Sequence, residues 1–144
     1  MKQIIPIASD HGGFEMKQFL IGKLQEAGYE VKDYGTHSSE SVDYPDMIHP
    51  LASAIEHGEF PLGIILCGSG NGAQMTANHH QHVRAALCWN VELAKLARQH
   101  NDANVLVMPG RFIDTEMARR ILDEFFATPF EGGRHQQYNT FILP

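Results

Sequence analysis

Runs of apolar residues recur along the chain in a way that predicts a parallel β-sheet. Four segments are almost continuously apolar rather than alternating, which is typical of strands buried on both faces: Ile4–Ala8, Leu62–Cys67, Arg84–Cys88 and Val105–Met108. A shorter fifth strand is predicted over Tyr29–Asp33. Pro6 conflicts with a central strand, because proline has no N–H to donate to a neighbouring strand.

Between these strands the apolar residues recur at helical spacing, which predicts helices over Phe14–Ala27, Met47–His57, Asn71–Asn78 and Asn90–His100. Pro50 leaves the start of the second helix open. A fifth helix is predicted after Asp114 as N-cap, with a buried stripe of Ala118, Ile121, Leu122 and Phe125. Strand and helix thus alternate about five times, which predicts an α/β fold: a three-layer α/β/α sandwich with a five-stranded, parallel, Rossmann-like sheet.

Composition limits the class of protein. At 144 residues, with 43% hydrophobic and 19% charged residues, residues 1–144 are expected to form a single domain. We expect no membrane partner, because no apolar run approaches the roughly 18–20 residues that cross a bilayer. The amino terminus lacks the pattern of a signal peptide, which favours a cytoplasmic location with two free thiols. A net charge of −6 without a basic run argues against nucleic acid as a partner.

Polar loops follow three of the predicted strands. They are Asp10–Gly13, Cys67–Gly72 and Gly110–Arg111. Ligands of open α/β sheets bind outside the carboxyl ends of the strands. We therefore expect the three loops to converge on one ligand site at that edge.

The loop after Cys67 carries the strongest chemical signal. Gly68, Gly70 and Gly72 expose backbone N–H groups, and the absence of Cβ atoms lets an anionic ligand approach. A helix beginning near Asn71 would add positive potential and lower the pKa of the thiol, which favours Cys67 as a base or nucleophile. The alternative is a small buried hydrophobe, the interpretation that we prefer for Cys88.

Several known loops do not fit this sequence. A P-loop needs a lysine and a spacing that are missing here. A cysteine phosphatase loop would need arginine where the chain has Ala73. Gly68-x-Gly70-x-x-Ala73 formally matches a dinucleotide fingerprint, but it follows the third strand, and no acidic residue stands clearly at the next strand end to bind a ribose. A nucleotide cofactor is therefore not favoured.

Other polar residues each have a functional and a structural interpretation. Asp10 and His11 lie beside two glycines at the predicted ligand edge, although a simple turn would also use them. His100 closes the fourth helix, where a histidine can also interact favourably with the helix dipole. Arg111 and Arg134 are candidates for binding phosphate bidentately. The segment His79–His82 looks like a metal cluster, but without a carboxylate or cysteine at ligand spacing we favour a solvated loop.

Taken together, these residues resemble the ribose-5-phosphate isomerase B and galactose-6-phosphate isomerase family over almost the whole chain. The motifs that carry the resemblance are Ser9–Gly13, Asp43–Asp46, Cys67–Gly72, Arg98–Asn104 and Glu131–Gln137. The resemblance implies aldose–ketose isomerisation of a sugar phosphate, without metal or organic cofactor. Ribose 5-phosphate and ribulose 5-phosphate are the expected pair. A tetrose or hexose phosphate, or a non-catalytic phosphosugar-binding protein, are the alternatives.

The resemblance also implies roles for individual residues. Cys67 would transfer the proton between C2 and C1, and Ser69 with the loop amides would stabilise the enediolate. His100 would open the furanose ring, and Asp10 would belong with Cys67, Ser69 and His100 to the catalytic residues. The implied sugar and phosphate ligands are Asp10, His11, Tyr44, Gly68, Gly70, Asn71, Gly72, Asn101, Arg111 and Arg134, with Asp10 and Asn101 on the hydroxyls and His11, Arg111 and Arg134 on the phosphate.

Two positions and the carboxyl-terminal tail complete the comparison with the family. Some relatives use a glutamate where this chain has Ala73, which leaves Cys67 as the candidate base. Tyr138 stands where a second arginine is frequent, so it is a candidate substrate contact without charge. By analogy, the protein is expected to form a homodimer, or a dimer of dimers, with sites built from both chains. The tail at about 128–144, with apolar Phe141–Leu143, is expected to contact the partner.

Overall fold

Five parallel strands form one sheet in the order β2-β1-β3-β5-β4. The computed structural model describes residues 2–142, with side chains through residue 139. The strands are β1 (Ile4–Ser9), β2 (Glu30–Asp33), β3 (Gly63–Cys67), β4 (Ala85–Leu87) and β5 (Val105–Pro109). All five predicted strands are confirmed, but β4 is a short, half-buried edge strand rather than one covered on both faces.

Helices cover both faces of the sheet and give the predicted three layers. They are α1 (Phe14–Glu26), α2 (Tyr44–Glu56), α3 (Asn71–Ala77), α4 (Val91–Asn101), α5 (Thr115–Ala127) and α6 (Arg134–Ile142). Helices α1, α4 and α5 pack on one face against Ile7, Leu66 and Leu106. Helices α2 and α3 pack on the other face against Ile65 and Val107. Within residues 2–142, no helix combines the length and hydropathy that a bilayer requires.

Pro6 is accommodated where pairing begins. Along β1, the backbone groups of successive residues point alternately toward β2 and toward β3. Ile7 points toward β2, since its carbonyl oxygen accepts from Tyr34 N. The nitrogen of Pro6 therefore faces β3. Pairing between β1 and β3 starts at Ile7 with Ile64, one residue later, so the missing donor lies at the start of the ladder.

The helices differ from prediction in two places. Helix α2 begins at Tyr44 rather than Met47, because Pro45 suits the first turn and Pro50 is tolerated within the helix. Helix α6 was not predicted, since its sequence lacks an apolar stripe; it packs against α4 of the same chain. An apolar contact surface was expected at Phe141–Leu143, and these residues lie outside the described side chains.

Candidate active site

Asp10 and Cys67 contact each other at the ends of neighbouring strands β1 and β3, whose following helices lie on opposite faces of the sheet. The chain leaves β1 toward α1 on one face and leaves β3 toward α3 on the other, which opens a crevice between the two strands. There the Cys67 Sγ donates to Asp10 Oδ2 at 3.1 Å. Asp10 Oδ1 accepts from Gly13 N at 3.0 Å, which caps a short 3₁₀ turn over His11–Gly13. A buried thiol and a buried carboxylate thus form a fixed pair.

The expectation that this loop lowers the pKa of Cys67 is wrong. Burial, followed by the hydrogen bond and negative charge of Asp10, raises the pKa of the thiol to about 12. The backbone N–H groups of Gly68 and Gly70 act in the opposite direction, as predicted, but more weakly. The sulfur is therefore protonated near neutral pH, and Asp10 is the group placed to accept its proton.

The glycine loop has the close-packed backbone that its sequence indicates. Gly70 has φ of +83°, and a Cβ there would lie 2.5 Å from Leu87 Cδ1. A Cβ on Gly72 would collide with the hydroxyl of Tyr44, which places that phenol directly over the loop. Larger residues at either position would displace the amides that face the sulfur.

Main-chain hydrogen bonds connect the predicted loops. Gly110 N donates to Cys67 O at 2.7 Å, and Arg111 N donates to Gly68 O at 3.1 Å. The Arg111 guanidinium passes about 3.2 Å from where a Cβ on Gly12 would stand. The predicted convergence of three loops at the carboxyl edge is confirmed.

His11 lies in a cleft beside Arg111, with its Nε2 available to a ligand. Its Nδ1 accepts from Val42 N at 3.2 Å, so Nε2 carries the proton and is available to donate to an anion. His11 and Arg111 line a cleft of about 360 Å³ together with Gly12, Glu15, Met16, Ser39, Gly110 and Thr115. An exposed cation and a ring N–H in one polar cleft are suited to a phosphate group.

The remaining residues of the predicted loop are solvent-accessible. Ser69 and Asn71 are exposed, and Ser69 Oγ accepts from Asn71 N at 3.4 Å. A buried lysine holds the segment that leads from β2 to Tyr44: Lys17 Nζ, with no exposed surface, contacts Asp33 Oδ1 at 2.6 Å and Thr36 O at 2.5 Å. These contacts fix the approach of the chain to Val42 and Tyr44.

The other predicted site residues lie at the opposite edge of the sheet. Helix α4 leads from the carboxyl end of β4 to the amino end of parallel β5, so its last residues, His100 and Asn101, are at the amino edge. At 11 residues it spans about 16 Å. Helix α5 returns the chain to the same edge, which places Arg134 and Tyr138 there too. Within one chain, these four residues are separated from Cys67 by the length of the sheet.

A second cluster forms at that edge. The rings of His100 and His135 stack with centroids 4.2 Å and planes 9° apart. Tyr138 meets His135 edge-on at 6.0 Å between centroids, and Asn101 Nδ2 donates to Asn139 Oδ1 at 3.5 Å. Arg134 is exposed beside them.

Two motifs have structural contacts. Arg98 donates to Asp102 Oδ1 at 2.9 Å and to Ala103 O at 2.6 Å, which fixes the end of α4. In the segment His79–His82, His80 Nδ1 donates to Glu56 at 2.9 Å, and its Nε2 lies 2.8 Å from His49 Nδ1. Among the described residues, no three His, Cys, Asp or Glu side chains are arranged to hold a metal ion.

Sequence reasoning missed two features. It placed Asp10 in the catalytic site, on a sugar hydroxyl, but did not predict that this carboxylate contacts Cys67, because the two residues lie 57 positions apart and no local pattern reveals the contact. It also overlooked His135 as a partner of His100. The only available signal was the glycine pair before it, Gly132 and Gly133, which adopt φ of +76° and +61° and turn the chain into α6.

The fold is an α/β sandwich with a buried thiol–carboxylate pair and a polar cleft at the carboxyl edge of its parallel sheet. The chain belongs to the ribose/galactose isomerase family, whose sequence profile matches residues 5–141. A ribose-5-phosphate isomerase B from Escherichia coli is 43% identical over 133 residues, covering 92% of this chain and 89% of that protein. A putative sugar phosphate isomerase from Rickettsia bellii is 44% identical over 131 residues and 91% of each chain.

Solved structures agree in fold over nearly the full length. A ribose 5-phosphate isomerase from Thermotoga maritima superimposes with a TM-score of 0.95 at 47% identity, covering 99% of this chain and 98% of that one. A ribose-5-phosphate isomerase B from Mycoplasma genitalium, with bound ribulose-5-phosphate, gives 0.94 at 38% identity, covering 99% and 95%.

Proposed function

We propose that this sugar-phosphate isomerase interconverts ribose 5-phosphate and ribulose 5-phosphate, with Cys67 as the group that moves the proton between C2 and C1. The named activity of its relatives supports the choice of sugar. The observation that supports Cys67 is its contact with Asp10 beneath the loop amides. Both cysteines are free thiols, which fits a reducing cytoplasmic compartment.

The chemistry requires a base and a site for negative charge. Removing the C2 proton of the open-chain aldose gives an enediolate. Returning that proton to C1, while the hydroxyl proton of O2 moves to O1, gives the ketose. The amides of the glycine loop and Ser69 would stabilise the enediolate oxygens, where a preorganised donor contributes about 3–4 kcal/mol. His11 and Arg111 would hold the phosphate, whose binding energy offsets the ordering of a flexible open chain.

Asp10 explains how a thiol with a raised pKa can act as a base. The sulfur must lose its own proton before it takes one from carbon, and Asp10 Oδ2 at 3.1 Å is the acceptor. Burial, the largest cause of the raised pKa, still acts when Asp10 holds the proton, so the thiolate that forms is more basic than an exposed one. The proton would remain on Asp10 while the thiolate shuttles hydrogen between C2 and C1.

We further propose that the working site joins the two clusters from two copies of the chain. His100, Asn101, Arg134 and Tyr138 cannot reach Cys67 of their own chain, so a second copy must bring them to the carboxyl edge. The surface beside edge strand β4 is suited to this contact. A groove of about 550 Å³ there is lined by residues of α3, β4 and α4, among them Leu87, Leu96 and Asn101.

A tetrose or hexose phosphate is the second candidate substrate, because Tyr138 offers a neutral phenol where a charged group would bind phosphate more strongly. Tyr138 is half-exposed and lies beside Arg134 in the second cluster. A panel of tetrose, pentose and hexose phosphates would decide between the candidates by comparing kcat/KM. A preference for a tetrose or hexose phosphate would replace ribose 5-phosphate in the proposal.

The direct test of Cys67 is Cys67→Ala. We expect kcat to fall by about 10²–10⁴-fold, since a positioned base contributes this much. Binding of ribulose 5-phosphate, measured by calorimetry, should remain within a few-fold. Cys88→Ala is the control for loss of a buried thiol, because Cys88 is buried in the core cluster on the other face of the sheet from Cys67. Unchanged turnover in Cys67→Ala would remove the sulfur from the mechanism.

A further inference from the structure

We infer that His135 is a positioning residue that holds the imidazole of His100 in the orientation needed to open the sugar ring. The inference rests on the proposed function, since it concerns the residue assigned to ring opening. It arises from the second cluster, where two histidines from different helices stack face to face. His135 lies on α6 and His100 on α4, so the contact connects two elements rather than neighbours in one helix.

Contacts on two sides fix the ring of His135 against that of His100. Ring centroids 4.2 Å apart and planes 9° apart place the two imidazoles in parallel contact. Tyr138 packs its edge against His135 at 6.0 Å and 74°. His135 is therefore fixed between two rings, and His100 cannot rotate without losing the stacked contact.

The backbone keeps the two helices in register. Glu131 N donates to Gln99 O at 3.0 Å, immediately before the turn into α6. One helical turn beyond His135, Asn139 is buried and accepts from Asn101 Nδ2 at 3.5 Å. The stack is thus bracketed by one hydrogen bond on each side.

Stacking leaves the chemistry of His100 available. A histidine is often oriented by a hydrogen bond to one ring nitrogen, which commits that nitrogen. Among the described side chains, no hydrogen-bond partner reaches either ring nitrogen of His100, whereas its face is covered by His135. The ring is therefore oriented through its face, and no hydrogen bond from the described side chains commits either nitrogen.

Ring opening needs such an arrangement. In the furanose form, the C1–O4 bond breaks, its electron pair goes to O4, and O4 takes a proton. The C1 hydroxyl loses a proton as the C1 carbonyl forms. One imidazole can give the first proton and accept the second, with no net change, provided that its nitrogens are placed near O4 and O1. A misplacement of about 1 Å can cost a hundredfold in rate.

The test compares ribose 5-phosphate, whose furanose ring must open before isomerisation, with a sugar phosphate that cannot form a furanose ring. An aldotetrose 4-phosphate carries its phosphate on O4 and so forms no furanose. For His135→Ala, we expect kcat/KM for ribose 5-phosphate to fall about 10- to 100-fold, with the value for the tetrose phosphate within about twofold. His135→Phe keeps a stacking ring and should restore most of the ribose activity. Gln137→Ala, an exposed change on α6, is the control.

A readout independent of turnover accompanies the kinetics. In the full-length protein, the imidazole proton signals of His100 should lose their ring-current shift in His135→Ala and retain much of it in His135→Phe. Equal losses on both sugars, no rescue by phenylalanine, or unchanged His100 signals would each overturn the positioning role. If the unaltered protein turned over neither sugar, the proposed function would fail and this inference with it, whereas a ribose-active His135→Ala variant would overturn the inference alone.

Discussion

The two clusters of polar residues are built in different ways. At the carboxyl edge, Cys67 and Asp10 are buried, and backbone hydrogen bonds between loops fix their positions. At the amino edge, His100 and His135 are only partly buried and are held mainly by contact between side chains of two helices. The first cluster is complete within one chain, whereas the second presents its groups outward.

In the proposed mechanism this difference separates two chemical tasks. Burial and Asp10 raise the pKa of Cys67 to about 12, so the thiol holds its proton until Asp10 accepts it. Ring opening exchanges protons between oxygens, a task suited to a partly exposed imidazole, because imidazole can both donate and accept a proton. One protein can carry both environments because they lie at opposite edges of the sheet in each chain.

Mixing variants would test most strongly whether the two clusters work together across chains. Cys67→Ala and His100→Ala should each be nearly inactive on ribose 5-phosphate. Co-expressed with different affinity tags and purified on both, the mixed dimers should recover about half of the parent activity, since each contains one intact site of two. The measurement is turnover per dimer after the tandem purification.

The matched control pairs two variants from the same cluster, Cys67→Ala with Asp10→Asn. No mixed dimer of these has an intact site, so no recovery is expected. Equal recovery in both mixtures, or none in either, would show that the two clusters are not joined in the proposed way.

Glycine substitutions should show that only the carboxyl-edge loop is close-packed. Gly70→Ala adds left-handed strain and a contact of 2.5 Å with Leu87, so we expect a loss of about 3 kcal/mol in the free energy of unfolding. Gly132→Ala has a similar φ but nothing within 4 Å, and should cost about 1 kcal/mol. Urea denaturation measures both, and equal losses would argue against the packing difference.

The smallest expected effect concerns the electrostatics of Cys67 alone. The alkylation rate follows the thiolate fraction, so it should keep rising with pH toward about 12 rather than levelling off near 9. Asp10→Asn removes a negative charge and should lower the pKa of the thiol, which would raise the alkylation rate at pH 8 by about tenfold. Cys88, whose pKa is raised by burial alone, is the internal control. A rate unchanged by Asp10→Asn would contradict the assigned cause.

Local patterns predicted most elements of the fold, since the period of apolar residues reports directly on strands and helices. The failures have physical reasons. Helix α6 has no apolar stripe and is stabilised by packing on α4, so its sequence carries little local signal. The predicted start of helix α2 is three residues late because Pro50 resembles a boundary. The glycine loop was located correctly, since left-handed backbone at Gly70 demands glycine.

The chain's own order of residues determined the alternation of strand and helix, the carboxyl-edge loops and the presence of a thiol beside backbone amides, because each depends on neighbours within a few positions. Only the tertiary structure decided that Asp10 contacts the Cys67 thiol, whose pKa is raised rather than lowered as expected. It also decided that His100 stands at the far edge, stacked on His135. Burial and charge act through space, and the contacts that set them join residues dozens of positions apart.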